Sequence, residues 1–283
     1  MSDTTIYLAP PSSGSFVGSA LNDAVAQACE TGKKVKLLPG DFNFDKPLWL
    51  NLPKEAPQIY GSGRGSTFIN FPNAQEGDTQ FHITSPSDFY DLVLKGFFIS
   101  SSHNGTLLKI GQDDYRDPLN CARIEDLGVF NGKAGATDSV AIHLNYVVNS
   151  KFGTVRANCF ANGQGANYGT ALLLRQAAFN QFSSTSFGNA SYGICMKDGF
   201  TYGNVFSAND TENVNNCIEL QSENAISNIF LGGQYSLFNN YLINNPFQNS
   251  SRTRVRMDLC NIQMNPGSQF FPSGFIAGLS IQQ

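Results

Sequence analysis

Charged side chains are scarce in this chain. Lys, Arg, Asp and Glu make up 14% of its 283 residues, against roughly 25% in an average globular domain. The 18 Lys+Arg and 22 Asp+Glu leave a formal charge of -4, and no basic run exceeds Lys33, Lys34 and Lys36. A nucleic-acid binder, or a protein adhering to anionic lipid, carries a positive face that this composition does not supply. Long apolar runs are missing as well: nothing approaches the roughly 18 residues of a membrane span, so membrane insertion is not expected. The first 20 residues lack the positive segment and apolar segment of an export signal, which sets the expectation of a soluble protein that does not use one. Cysteine is sparse and unpaired in pattern. Cys29, Cys121, Cys159, Cys195, Cys217 and Cys260 contain no CxxC, which reads as reduced, packed thiols with neither disulfide nor zinc site. His82, His103 and His143 are too far apart for a ligand set. Gly61-Ser-Gly-Arg-Gly65 lacks the GxGxxG spacing and reads as a turn, so no cofactor is expected.

What is plentiful is Gly (27) and Phe (23), with Asn, Ser, Thr and Gln supplying the polar surface. One helix is expected over residues 19–31, where Leu21, Val25 and Cys29 recur at four-residue spacing, Ser19 offers an N-cap and Gly32 a stop. Beyond it the chain reads as short apolar strands separated by Gly, Asn and Pro. Ser150-Lys-Phe152, Asn180-Gln-Phe182, Asn204-Val-Phe206 and Asn228-Ile-Phe230 repeat at intervals of 30, 24 and 24 residues, each after an apolar strand. Such a period indicates one stacked unit.

Short strands at this period, with hardly any helix, predict an all-β fold, a single-stranded right-handed parallel β-helix (solenoid) over 19–262 with an N-terminal capping helix. Each coil lies roughly 4.8 Å above the last. Residues 1–18 form an extension and 263–283 a C-terminal cap or interface segment. Phe152, Phe182, Phe206 and Phe230 are expected as an interior ladder. Asn180, Asn204 and Asn228 are expected to stack at a corner, where Asn tolerates left-handed backbone angles and its amide bonds the Asn of the next coil. An antiparallel sandwich offers no reason for the period.

The stretch from Ala20 through Leu38-Pro-Gly-Asp-Phe-Asn-Phe44, followed by Ile59-Tyr-Gly-Ser-Gly-Arg-Gly-Ser-Thr67, resembles the opening of the pectate-lyase-like β-helix superfamily, in which a helix plugs the first coil. That opening is shared by carbohydrate lyases, glycosidases and bacteriophage tailspikes, so the resemblance implies the fold more than a function. The superfamily's polygalacturonase pattern is absent: Asp113-Asp114 is the only Asp-Asp pair and lies in a polar insertion. Arg252, Arg254 and Arg256 have Asp258 as their only close acid.

Glycosidases of this fold need carboxylates converging on one groove. Candidates are Glu125 and Asp126, Glu219 and Glu223, and above all Asp198, Asp210 and Glu212. Asp198 aligns with Ser222 and lacks an acidic partner on the next coil. Asp210 and Glu212 sit in Asn209-Asp-Thr-Glu-Asn-Val-Asn-Asn216, whose composition reads as a solvated turn. No catalytic set is therefore firm and no metal is expected. Tyr192, Tyr202 and Tyr235 are the aromatic candidates for stacking on sugar. The tailspike branch of the resemblance implies a virion protein, assembled in the host cytoplasm as a homotrimer against other capsid or tail proteins. On this reading it is a non-enzymatic decoration, cement or short spike subunit that stabilises the particle, contacts host surface polysaccharide, or does both. The alternatives are a tailspike-like depolymerase (glycoside hydrolase or lyase) and a carbohydrate-binding module.

Overall fold

Alternation along the short strands decides which side chains enter the core, and coil-on-coil pairing multiplies each choice into a column. The structure, a computed structural model, describes residues 4–53, 55–87, 89–112, 118–159, 161, 162, 166–247, 255–271 and 279–282. Its main sheet is a parallel β-solenoid in which every paired strand meets its neighbour in parallel. On the first face, Ile6, Val35, Ile59, Leu94, Ile124, Phe152, Phe182, Phe206, Phe230 and Met257 follow one another in register. Their neighbours along each strand point outward, so one buried residue per coil is enough to build a continuous apolar column.

The expected phenylalanine ladder is present. Ring centroids are 4.6 Å apart from Phe152 to Phe182, 4.4 Å from Phe182 to Phe206 and 4.5 Å from Phe206 to Phe230, with interplanar angles of 13°, 5° and 7°. The coil repeat imposes this spacing, and each stacked pair adds about 0.5–1.5 kcal/mol beyond its buried area. Asn180, Asn204 and Asn228 form the second ladder, fully buried. The Asn180 Nδ2 donates to Asn204 Oδ1 at 3.0 Å and Asn204 Nδ2 to Asn228 Oδ1 at 2.9 Å. The expectation of left-handed angles at these asparagines is corrected by one position. The positive φ values belong to the preceding residues, Asn149 (51°), Phe179 (55°), Gly203 (64°) and Ser227 (54°). The corner bends there, leaving each Asn free to aim its amide inward along the stack.

The helix forms over Ala20–Thr31, burying Leu21, Ala24, Val25 and Ala28, and Gly32 ends it in the left-handed region at φ 63°. Ser19 does not act as the expected cap. Its own backbone is already helical, and its hydroxyl donates to Asp23 Oδ2 at 2.9 Å. The helix packs against strands Thr5–Leu8, Lys34–Leu37 and Leu48–Asn51. A second face carries the interior column Phe42, Ile69, Ile99, Val129 and Ala157. A third carries Leu48, Phe81, Leu108, Ile142, Leu172, Ile194, Ile218 and Ile243. The only antiparallel pair among the described strands is the hairpin Ala161–Asn162 with Ala166–Asn167, inserted between the second and third faces.

Two further expectations change. Asn209–Asn216 is not a turn, because Asp210–Gln221 is one strand that runs from the second face through a corner at Asn213 (φ 52°) onto the third. Tyr235 is not a surface aromatic. It is fully buried in the second-face column between Thr211 and Ile262, because it falls five residues after Phe230, as Phe187 falls five after Phe182. All six cysteines are free, and Cys159, Cys195 and Cys217 are buried. Burial pushes the Cys159 thiol up to about 12, so it packs as a small hydrophobe.

Candidate functional site

Since Thr211 points into the core, Asp210 and Glu212 both point outward from the second face. Two strand residues at this spacing put their stems about 6.6 Å apart on one side of the sheet. The coil beneath carries Ser186 under Asp210, and Arg156 lies one coil further down. Gly188 lies under Glu212: a Cβ there would sit 2.4 Å from the Glu212 carbonyl oxygen, so the floor below Glu212 is bare backbone. The coil above places Gln234 over Asp210 and Ser236 over Glu212. The hairpin strand Ala166–Asn167 lies beside this strand.

Asp210 is the perturbed member. Burial, and then the negative charge of Glu212, raise its carboxyl above the ordinary aspartate value, while Arg156 pulls the other way. Its Oδ1 is buried and has no hydrogen-bond partner among the described residues. A half-buried carboxyl that favours its proton, next to a second carboxylate, is the environment that separates an acid from a base.

The other sequence candidates do not join this site. Asp198 is exposed in a turn at φ 48°, just past the end of the strand pairing that aligns Lys197 with Gln221. Glu125 is bound to Lys95 at 2.9 Å and Arg123 at 2.5 Å, and Asp126 lies 3.8 Å from Arg64. These contacts, with the two cations holding the Glu125 carboxyl low, mark surface ion pairing. Arg256 is paired with Asp258 at 2.6 Å, while Asp113, Asp114, Arg252 and Arg254 lie outside the described residues. His103 is fully buried between Ser101 and Asp78, and burial lowers its basicity. Tyr202 is 38% exposed at another corner, edge-on to Phe179 at 4.7 Å. No cluster of three or more metal-ligating side chains occurs among the described residues, and no described helix is long and apolar enough to cross a membrane.

No family model matches the sequence, and no curated protein matches it. Solved structures do match the fold. The mannuronan C-5 epimerase AlgE4 A-module of Azotobacter vinelandii aligns over 95% of this chain and 90% of its own, at 12% identity and a TM-score of 0.51. ORF18 of Geobacillus virus E2 aligns over 95% at 12% identity and a TM-score of 0.53, and the enzymatically active domain of bacteriophage CBA120 tailspike protein 2 over 91% at 14% identity and 0.50. The fold is that of the pectate-lyase-like parallel β-helices. The chain spans 56% and 44% of those two phage proteins.

In this β-helix the third face holds a second arrangement, which the sequence reading only touched. Between Ile218 and Leu220, Glu219 turns outward yet is 5% exposed. Asn216 Nδ2 donates to its Oε2 at 2.7 Å, and Asn244 Nδ2 reaches both oxygens at 3.1 and 2.9 Å. Burial outweighs these donors and raises the carboxyl. The coil below supplies Tyr192 and Cys195 in register with Asn216 and Glu219. With Lys197, Asp138 and Gln221 they border a groove of about 450 Å³. Tyr192 thus borders a groove.

The raised Glu219 carboxyl makes the stability of the fold depend on pH. The folded chain binds the Glu219 proton more tightly than the unfolded chain, so its contribution falls as pH rises from the ordinary glutamate value through the raised one. The stability of the wild type minus that of Glu219→Gln is therefore expected to decline with pH across that window. Urea unfolding of both proteins at stepped pH measures it, and a flat difference would remove the assignment.

Proposed function

We propose that this β-helix is a polysaccharide-acting protein of a phage particle, a glycoside hydrolase in which Asp210 is the general acid and Glu212 the base that activates water. The observation that carries it is the Asp210–Glu212 pair on one outward strand face, with Asp210 raised by burial and by its partner. An acid near the leaving oxygen and a base across the bond are what glycoside hydrolysis requires. The phage setting is supported by the fold likeness to the tailspike domain and the phage ORF18 protein, and the carbohydrate setting by that to the epimerase module.

The experiment is to incubate the purified chain with bacterial surface polysaccharides and follow chain length by size exclusion. Shortening that disappears in Asp210→Asn with Glu212→Gln supports the hydrolase. Binding without shortening supports instead the non-enzymatic decoration or spike subunit, or a carbohydrate-binding module. A homotrimer, proposed from the tailspike likeness, is expected to scatter light behind a sizing column as a particle of three times 30.7 kDa. A monomer at all concentrations would remove it.

A further inference from the structure

The chain has a single tryptophan, and it sits in water. Strand Leu48–Asn51 buries Leu48 and Leu50 and turns Trp49 and Asn51 outward on the third face, Trp49 remaining 59% exposed. An outward strand position requires no apolar group, and a large aromatic there forgoes the area it could bury. The ring is nevertheless held in place. It meets the His82 ring at 5.3 Å and 77°, and His82 Nε2 lies 3.1 Å from the Gly111 carbonyl oxygen. The helix Ala20–Thr31 forms the opposite wall, tied to the strand by Asn22 Nδ2 donating to the Trp49 carbonyl at 3.2 Å. Between them runs a groove of about 530 Å³, bordered by Val25, Cys29, Glu30, Trp49, Asn51 and Pro53.

A fixed aromatic ring flanked by an amide two residues along the strand and a carboxylate across the groove offers one apolar face, a donor and two acceptor groups. That is the complement of a sugar ring, which has apolar C–H faces and hydroxyls at its edge. Glu30 is the only charged group among the described lining residues, and it disfavours an anionic sugar. We propose that this groove is a binding subsite for an uncharged pyranose residue, stacked on Trp49 with its hydroxyls bonded to Asn51 and Glu30. The ligand class rests on the carbohydrate reading above, but the site does not rest on the Asp210–Glu212 chemistry. Six coil steps separate the strand of Leu48 from that of Ile218 along the third-face column, roughly 29 Å at about 4.8 Å per coil.

The lone tryptophan makes the test direct. The full chain is titrated with maltoheptaose, chitohexaose and galactotetraose while Trp49 emission is followed. A saturable change with at least one is expected, weakened about fivefold by Asn51→Ala through the lost hydrogen bond. Trp49→Ala should abolish the saturation-transfer NMR signal of the same oligosaccharide. Both substitutions are at exposed positions, so thermal unfolding should be unchanged. No saturable change with any of the three, or affinity indifferent to Asn51→Ala, overturns the proposal. So does emission that changes on dilution of the protein alone, which would make Trp49 a contact between copies of the chain. Asp210→Asn with Glu212→Gln must leave the titration unchanged. A chain that cleaves polysaccharide without any Trp49 response loses this subsite and keeps the hydrolase, and the converse result loses the hydrolase alone.

Discussion

Phe206→Ala is expected to lower the unfolding free energy by about 3–5 kcal/mol, the upper range for truncation of a buried aromatic. Phe206 has no exposed surface and is stacked on both sides, 4.4 Å from Phe182 and 4.5 Å from Phe230. Cavity cost depends on how far the surroundings collapse, and here they are constrained. Phe182 and Phe230 hang from strands held at the coil spacing by backbone hydrogen bonds, and the flanking Asn204 is locked to Asn180 and Asn228. Phe206→Leu, which keeps most of the volume, should lose much less, and Phe152→Leu less again, because Ile124 already sits beneath that end of the stack. Urea unfolding with an unchanged denaturant slope measures the series. A loss below about 1 kcal/mol for Phe206→Ala would mean that the coils close over the gap. Stability in a stacked architecture passes from neighbour to neighbour, so a defect mid-stack is felt on both sides.

The solenoid and its two ladders were legible because a fixed period places like residues at like positions, and Phe206 could be read from Phe182. The same arithmetic would have placed Tyr235. Counting five residues on from each ladder phenylalanine gives Ala157, Phe187, Thr211 and Tyr235, one interior column. Asp210 and Glu212 were mistaken for turn residues for a physical reason. Asn, Asp and Thr usually signal loops because they compete for backbone hydrogen bonds. In a β-helix the coils above and below satisfy the backbone, and here the buried polar side chains Asn209, Thr211 and Asn216 are bonded as well, so the polar stretch Asn209–Asn216 costs the strand little. The left-handed angles fell one residue early because the amides of Asn180, Asn204 and Asn228 stack best when the bend has already been made. Alternation with Ile218 and Leu220 turns Glu219 outward, but it is flanked by Asn244 and Cys195, contributed by coils on either side. No local pattern encodes that.

Asp210→Asn and Glu212→Gln should each reduce kcat/KM for polysaccharide cleavage by about 10²–10⁴, the usual contribution of a positioned acid or base. The double variant should fall little below the weaker single, since an acid and a base that act in one step fail together. Their pH profiles separate the roles. As the acid, Asp210 must be protonated, so it sets the alkaline limb of the wild-type profile. Burial and the Glu212 charge raise it, so Glu212→Gln removes one of the two causes and should move the alkaline limb of any residual activity to lower pH. A merely structural Asp210 predicts no such movement, and it also predicts lost stability in Asp210→Asn. The raised carboxyl predicts instead that the stability of the wild type relative to Asp210→Asn falls as pH rises from the ordinary aspartate value through the raised one. Proton NMR of the first product should show inverted anomeric configuration if a water occupies the space between the two stems. A retained configuration would mean that one carboxylate attacks the sugar directly, and would require the carboxyls to approach to about 5–5.5 Å. Full activity in both single variants would move the search for the reacting groups to the third face, where Glu219 is the remaining carboxyl raised by burial beside a groove.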